Sequence, residues 1–362
     1  MMAGRLHGGP DHQGAARHDF STCANPLGPC PLVVEALAGL DVSRYPDPAS
    51  TALRERLAAC HGVAPARILM AVSASEFIQR MTAAAVRLLG PRIAVEVPAQ
   101  GYGDYAAAAT AWGLPVRPRD PGDSGDGGAA APLTGLHWWA EPSSPRGLDA
   151  GPPHGFAPAP AVTVLDAVYA PLRLQGASAW RPEDRDAAFV LHGPNKALGL
   201  CGLRGAYAEA PLGADAGDWV ATLAALTPSW PLSVAGVQML DVWARPEGRR
   251  WVEAGRPTLV QWRADLEQVL VRHGFEVAAS VSTFLCARPP RAFDAGHLRA
   301  ALRARDIAVR DAASFVLPGW WRLSAQPPGS LAALDDALAA LLAAPPGRQT
   351  ASPGGQPALP RR

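Results

Sequence analysis

Lysine is all but absent from this chain. Of the 33 basic residues among 362, Lys196 is the sole lysine and the other 32 are arginine. Charge of neither sign is in surplus, because 32 acidic residues leave a net charge of +1. That balance argues against an electrostatic footprint for nucleic acid or an anionic membrane. Long apolar runs are missing too. No uncharged apolar stretch reaches the roughly 18 residues of a membrane span, and the opening MMAGRLHGGPDHQG lacks the apolar stretch of a signal peptide. Cysteine is sparse: Cys23, Cys30, Cys60, Cys201 and Cys286 are odd in number and without C-x-x-C spacing. They read as reduced thiols of a cytoplasmic protein, and neither a disulfide framework nor a zinc or other metal site is expected.

The shortage of lysine has its own meaning. Wherever a positive charge suffices, this chain uses arginine. Arginine cannot condense with a carbonyl, which needs a primary amine able to lose its proton. A solitary lysine in such a background points to carbonyl chemistry if its neighbours agree; otherwise it is one survivor on a solvated face.

What is present describes a globular chain, 48% hydrophobic and 18% charged, with length for roughly two domains. Glycine (36) and proline (37) are abundant and gather in connectors at 121–132 and 150–161. The tail at 345–362 has too little apolar content to fold. Short apolar runs alternate with helical patterns, which predicts a mostly parallel α/β sheet. Strands are expected over 68–72, 92–97, 136–140, 162–166, 187–192 and 205–208, and helices over 31–40, 50–61, 75–89 and 103–112. After Pro228 the pattern changes. Helices over 232–245, 258–273, 295–305 and 330–343, with strands over 274–287, 307–311 and 320–324, predict a smaller α+β domain. The expected division is an arm at 1–30, a large α/β domain at 31–230, a small α+β domain at 231–344 and the tail.

Lys196 lies in LHGPNKALGLCGLRGAYA, just past a predicted strand, at the sheet edge where α/β proteins place ligands. Arg204 follows in a glycine-spaced segment, and an arginine fork suits a phosphate. The run K-x-x-G-L-x-G-L-R-x-x-Y from Lys196 to Tyr207 resembles the lysine segment of fold-type I pyridoxal phosphate enzymes, the class I/II aminotransferases. Within that family it is similar to the histidinol-phosphate aminotransferase and threonine-phosphate decarboxylase branches, over about His7 to Ala343.

The resemblance implies a role for each matching residue. Lys196 forms the imine with the cofactor. Asp166 in VLDAVY pairs with the pyridine nitrogen, and Tyr169 contacts the ring oxygen. Tyr102 in PAQGYGDY, or less closely Tyr105, stacks on the cofactor face. Ala74, Ser75 and Glu76 occupy the phosphate-binding turn that opens a helix, although a serine N-cap explains Ser75 as well. Tyr45 in RYPDP matches a tyrosine donated across a homodimer interface. Arg322 in WWRLS grips the substrate carboxylate, and Arg310 in AVRDAASF lies at the substrate site. His7 and Gly8, followed by DFSTCANPLGP, match the arm that reaches the substrate phosphate in the decarboxylase branch.

Departures cluster at the same site. Ser144 stands where the family has an asparagine on the cofactor ring oxygen. Gly193 replaces a phosphate-binding hydroxyl residue, Asn195 a small hydroxyl residue, and Cys23 a substrate-contacting asparagine. The resemblance implies decarboxylation of L-threonine phosphate for the cobalamin side arm, with transamination like that of histidinol-phosphate aminotransferase as the alternative. A cofactor-binding protein without turnover is a third reading, motivated by Ser144, Gly193 and Cys23.

Overall fold

The computed structural model describes residues 7–120, 135–152, 161–213 and 216–343. The connector expected at 121–132, the tail at 345–362 and most of the connector at 150–161 lie outside the described residues. In chain order, β1 (His18–Asp19) precedes α1 (Pro31–Ala38), α2 (Thr51–His61), β2 (Ile68–Ala71) and α3 (Ala74–Leu89). Next come β3 (Ala94–Pro98), α4 (Gly103–Ala111), β4 (Val116–Arg119), β5 (Gly135–Ala140) and β6 (Ala161–Asp166). The short α5 (Pro182–Asp186), β7 (Phe189–His192) and β8 (Ala206–Glu209) follow. Strands β2 to β8 form one sheet of order β2-β8-β7-β6-β5-β3-β4. Its strands run parallel except β8, which is antiparallel to β2 and β7.

Central strands such as AVTVLD and FVLH are apolar on both sides because helices cover both faces. On one face, Phe77, Ile78 and Met81 of α3 pack with Ala108 of α4, Leu223 and sheet residues including Leu191. On the other, Leu53 and Leu57 of α2 meet Tyr207, Met239 and Leu240. Strand β4 was not anticipated. Its sequence VRPR carries a proline and exposed arginine, tolerated because β4 is an edge strand.

The remaining elements are α6 (Ala216–Ala225), α7 (Val234–Ala244), α8 (Pro246–Arg272), β9 (Glu276–Val277), β10 (Phe284–Arg288), α9 (Ala295–Arg303), β11 (Ile307–Ala308), β12 (Arg310–Asp311), β13 (Trp321–Ser324) and α10 (Pro328–Leu342). An antiparallel sheet β12-β13-β10-β9 carries the second core, in which Leu266, Leu285, Leu323 and Leu334 meet. Three expectations differ from this. Helix α8 does not start at Thr258 but runs back through Pro257 to Pro246. The missing N–H costs one bond, while Val252 anchors one half in the large core and Leu266 the other half in the small core. The change of core therefore falls inside α8, later than residue 230. The strand expected over 274–287 is split, because Ser280 Oγ donates to the Phe284 carbonyl at 2.5 Å and accepts from Ser282 N–H at 3.1 Å. Such local side-chain bonds compete with a ladder. Finally, the arm joins the small unit: β1 pairs in parallel with β11, and Phe20 enters the second core.

Candidate active site

Lys196 sits in a tight turn beyond β7, where Leu198 N–H donates to the Pro194 carbonyl at 2.9 Å and Leu200 N–H to the Asn195 carbonyl at 2.7 Å. The arm clamps this turn. Asn25 N–H donates to the Lys196 carbonyl at 2.8 Å, and Asn25 Nδ2 to the Ala197 carbonyl at 3.0 Å. Gly199 has φ +68°, and a Cβ there would collide with the Gly28 carbonyl. The NPLGP motif and the lysine motif thus interlock, which fixes the lysine backbone. Asn195 spends its side chain inside the turn, Nδ2 lying 3.4 Å from the Leu203 carbonyl. Gly193 packs against Val168. The Lys196 Nζ lies 5.4 Å from the centre of the Tyr169 ring.

Asp166 ends β6, opposite Leu191 of β7. Tyr105 OH donates to its Oδ2 at 2.6 Å and Val168 N–H to its Oδ1 at 3.0 Å. Burial pushes this carboxyl above its ordinary value, opposed by those two bonds and by the charge of Lys196. Both donors are neutral, so a buried acid faces the site without an ion-pair partner among the described residues. Tyr105 is buried and stacks on Trp138 at 4.7 Å, which commits it to Asp166. Tyr102 stands half-buried at the face, with its hydroxyl 2.9 Å from Ser75 Oγ. Tyr169 packs edge-on against Phe284 at 4.8 Å.

Helix α3 opens beside them. Ser73, not Ser75, is its N-cap: Ser73 Oγ accepts from Glu76 N–H at 3.1 Å, while Glu76 Oε2 accepts from Val72 N–H at 3.1 Å. Ser75 is therefore left for other work. The N–H groups of Ala74 and Ser75 belong to the first turn, which has no intrahelical acceptors. Arg204 is exposed and has no side-chain partner among the described residues.

A second group of residues comes from the small sheet and the arm. Arg310 and Arg322 are direct cross-strand partners, both buried. Arg322 Nη1 donates to Ser144 Oγ at 3.0 Å and Nη2 to the Ser21 carbonyl at 3.1 Å. No carboxylate pairs with it among the described residues, and its Nε is buried without a partner. Arg310 donates to the Asp311 carbonyl at 2.6 Å and Ser314 Oγ at 2.7 Å. Burial, with Arg322 adding repulsion, lowers Arg310 to about 10. Both guanidinium groups approach the Phe315 ring, at 5.0 and 5.4 Å. Cys23 is buried, and burial raises its thiol against the nearby charges of Arg322 and Lys196.

The arm's start reaches the same place. The His7 ring lies 6.2 Å from that of Tyr102. Gly9 N–H donates to Ser21 Oγ at 2.8 Å, and a Cβ on Gly8 would collide with the Ser21 carbonyl. Asp19 holds the bend by accepting from Ser21 Oγ at 2.5 Å and Thr22 Oγ1 at 2.6 Å. Tyr45 is elsewhere, 77% exposed and stacked on Trp230 at 4.5 Å. Ser21 and Asn25 lie within the quoted DFSTCANPLGP motif without being named as site residues there, and the Tyr105–Asp166 bond had no sequence signal; all depend on contacts between distant segments.

A family model described as "Aminotransferase class I and II" matches residues 142–341. Histidinol-phosphate aminotransferase of Cereibacter sphaeroides is 27% identical over 333 residues, covering 88% of this chain and 89% of that protein. Histidinol-phosphate aminotransferase 1 of Thiobacillus denitrificans is 29% identical over 381 residues, covering 93% and 87%. Among solved structures, histidinol-phosphate aminotransferase from Sinorhizobium meliloti in complex with pyridoxal-5'-phosphate has a TM-score of 0.73 at 20% identity, covering 89% of this chain and 90% of that one. L-threonine-O-3-phosphate decarboxylase from Porphyromonas gingivalis also has a TM-score of 0.73 at 20% identity, covering 90% and 99%. The chain belongs to the class I and II aminotransferase family, with the fold-type I architecture. It is a pyridoxal phosphate enzyme, histidinol-phosphate aminotransferase-like by sequence. The site fits that cofactor: Asp166 is a buried acid with no ion-pair partner among the described residues, and a protonated pyridine nitrogen would supply one. Among the described residues, no helix is long and apolar enough to cross a membrane.

Proposed function

We propose that this enzyme decarboxylates a phosphorylated amino acid, L-threonine phosphate, in cobalamin biosynthesis. One observation carries the reading: the HGG arm folds onto the site, with His7 against Tyr102 and the Ser21 carbonyl on Arg322. Two buried guanidinium groups facing each other suit a substrate with more than one anionic group, since like charges placed opposite are otherwise unfavourable.

When bound, pyridoxal phosphate supplies an electron sink for the pair left by breaking a bond at the substrate's α-carbon. Lys196 would hold the cofactor covalently, and its amine is the group placed to move a proton at that carbon. Asp166 would hold a positive charge on the ring nitrogen, and Tyr105 fixes the carboxylate's orientation. Tyr102, Tyr169, Ser144 and Asn195 would border the cofactor, and Ala74, Ser75 and Arg204 would bind its phosphate. Arg322 and Arg310 orient the substrate carboxylate, while His7, Gly8 and Cys23 line the substrate's far side. The exposed Tyr45 completes the site of a second copy in a homodimer, a cytoplasmic enzyme built of the arm, the large and the small domain.

A second reading, transamination, is favoured by the named relatives, which are aminotransferases. Incubation with threonine phosphate separates the two. Release of carbon dioxide without any 2-oxo acid supports decarboxylation, whereas amine transfer that requires a 2-oxo acid supports transamination. Tight cofactor binding with neither product from any phosphorylated amino acid would leave a protein without turnover.

A further inference from the structure

On the sheet face away from α3, three side chains from three elements converge. His61 ends α2, His192 ends β7 and Glu209 ends β8, with one donor atom from each within 4.8 Å of the others. Glu209 Oε1 is 2.7 Å from His192 Nε2 and 3.0 Å from His61 Nδ1. We propose that His61, His192 and Glu209 bind a divalent transition-metal ion of the zinc class, at a site separate from the cofactor's.

Two imidazoles and one carboxylate are donors that suit zinc, cobalt, nickel or copper rather than magnesium or calcium. Bonds of about 2.0–2.2 Å in tetrahedral geometry place ligand atoms about 3.3 Å apart. The oxygen would move away from the nitrogens by a few tenths of an ångström, and the nitrogens would draw together by side-chain rotation. The outer shell is already built. The other ring nitrogen of His61, Nε2, lies 2.8 Å from Tyr207 OH, which accepts from Trp243 Nε1–H at 3.0 Å. Metal-ligating histidines engage their second nitrogen in this way, which fixes ring orientation. Tyr207 closes the lysine motif, yet its ring is buried here, away from any role with the cofactor.

Ligation would replace the present contacts: His192 Nε2 and His61 Nδ1, which now point at Glu209 Oε1, would each give up a proton and turn a lone pair to the ion. Side-chain exposures of 21%, 12% and 14% for His61, His192 and Glu209 leave a way in for the ion and for a water as fourth ligand. An ion there would tie α2 to the strand that delivers Lys196 four residues later. Cysteine spacing gave no sign of it because no cysteine takes part.

The test uses full-length protein with cofactor bound, stripped with a chelator and titrated with Co(II). One equivalent is expected, with visible ligand-field bands that Zn(II) abolishes. Glu209→Gln and His192→Gln should each weaken binding by more than about tenfold, and Tyr207→Phe by about tenfold. Absence of stoichiometric binding to the unmodified protein, or unweakened binding in any of these variants, overturns the proposal. Should the variants not fold, zinc-edge X-ray absorption of the unmodified protein decides it. Two imidazoles in a nitrogen and oxygen shell are expected, and any other ligand set, such as one containing sulfur, overturns the site.

Discussion

The site has two halves that are built differently. The half around Lys196 and Asp166 rests on the large sheet, and its backbone is locked: Asn25 holds the lysine turn, and Tyr105 with Val168 holds the acid. The half around Arg322 is assembled from the small sheet, the 141–147 loop and the arm. Its guanidinium is buried against neutral oxygens, with Nε unpartnered. In the first half the polar groups are fixed by the protein; in the second, the buried guanidinium of Arg322 meets only neutral oxygens among the described residues. Under the proposed function, the fixed half would preserve one chemistry and the underpaired half would select the substrate.

The largest effect expected tests the fixed half. Lys196→Ala should abolish the visible absorption of the tethered cofactor and cut turnover by at least about 10²–10⁴-fold, the worth of a positioned proton-transfer group alone. Borohydride treatment followed by peptide mapping checks it; a reduced adduct on any residue other than Lys196 breaks the scheme.

Next comes the underpaired half. Arg322→Ala removes a buried charge partner worth about 2–5 kcal/mol, so kcat/KM should fall by roughly 30- to 4,000-fold. The cofactor spectrum should stay in place. Arg322→Lys should recover little, because an ammonium cannot reproduce the fork that reaches Ser144 and Ser21 together. A lost cofactor band in Arg322→Ala would show that the halves are not separate.

Tyr105→Phe gives a smaller effect. It removes a bond to a charged group worth about 1.5–3 kcal/mol, or roughly ten- to a hundredfold in cofactor affinity. The bond favours the ionised form of Asp166, so its loss raises the Asp166 pKa further above the unfolded value. The acidic limb of the rate profile should therefore move to higher pH. A profile that moves the other way, or not at all, removes Tyr105 from the cofactor half.

The same contrast explains what could be read from the sequence. Lys196 stands out by composition, and Asp166 and Arg204 by local motifs: Asp166 ends β6, and the other two lie in the glycine-spaced segment between β7 and β8. The alternating pattern likewise gave the sheet and most helices. Contacts that join segments far apart left no local trace. The fit of Gly199 to the Gly28 carbonyl and the reach of Tyr105 to Asp166 each join distant segments, and the meeting of His61, His192 and Glu209 arises only when β8 inserts between β2 and β7. Short or irregular pieces were missed for a related reason. The two-residue β1 draws its stability from β11, nearly 290 residues later.

Ser144 lies on the border, and its removal should have the smallest effect of these. Its hydroxyl accepts from Arg322 Nη1 at 3.0 Å, although the family position belongs to the cofactor ring oxygen. Ser144→Ala leaves Arg322 with the Ser21 carbonyl and, in an open site, water as a substitute acceptor. The cost should then stay below the range for a bond to a charged group, about severalfold in KM with kcat unchanged. The cofactor spectrum and affinity should not move. The opposite split, with a shifted spectrum, weaker cofactor binding and an unchanged KM, would put Ser144 in the fixed half. The substrate half would then rest on Arg322, Arg310 and the arm alone.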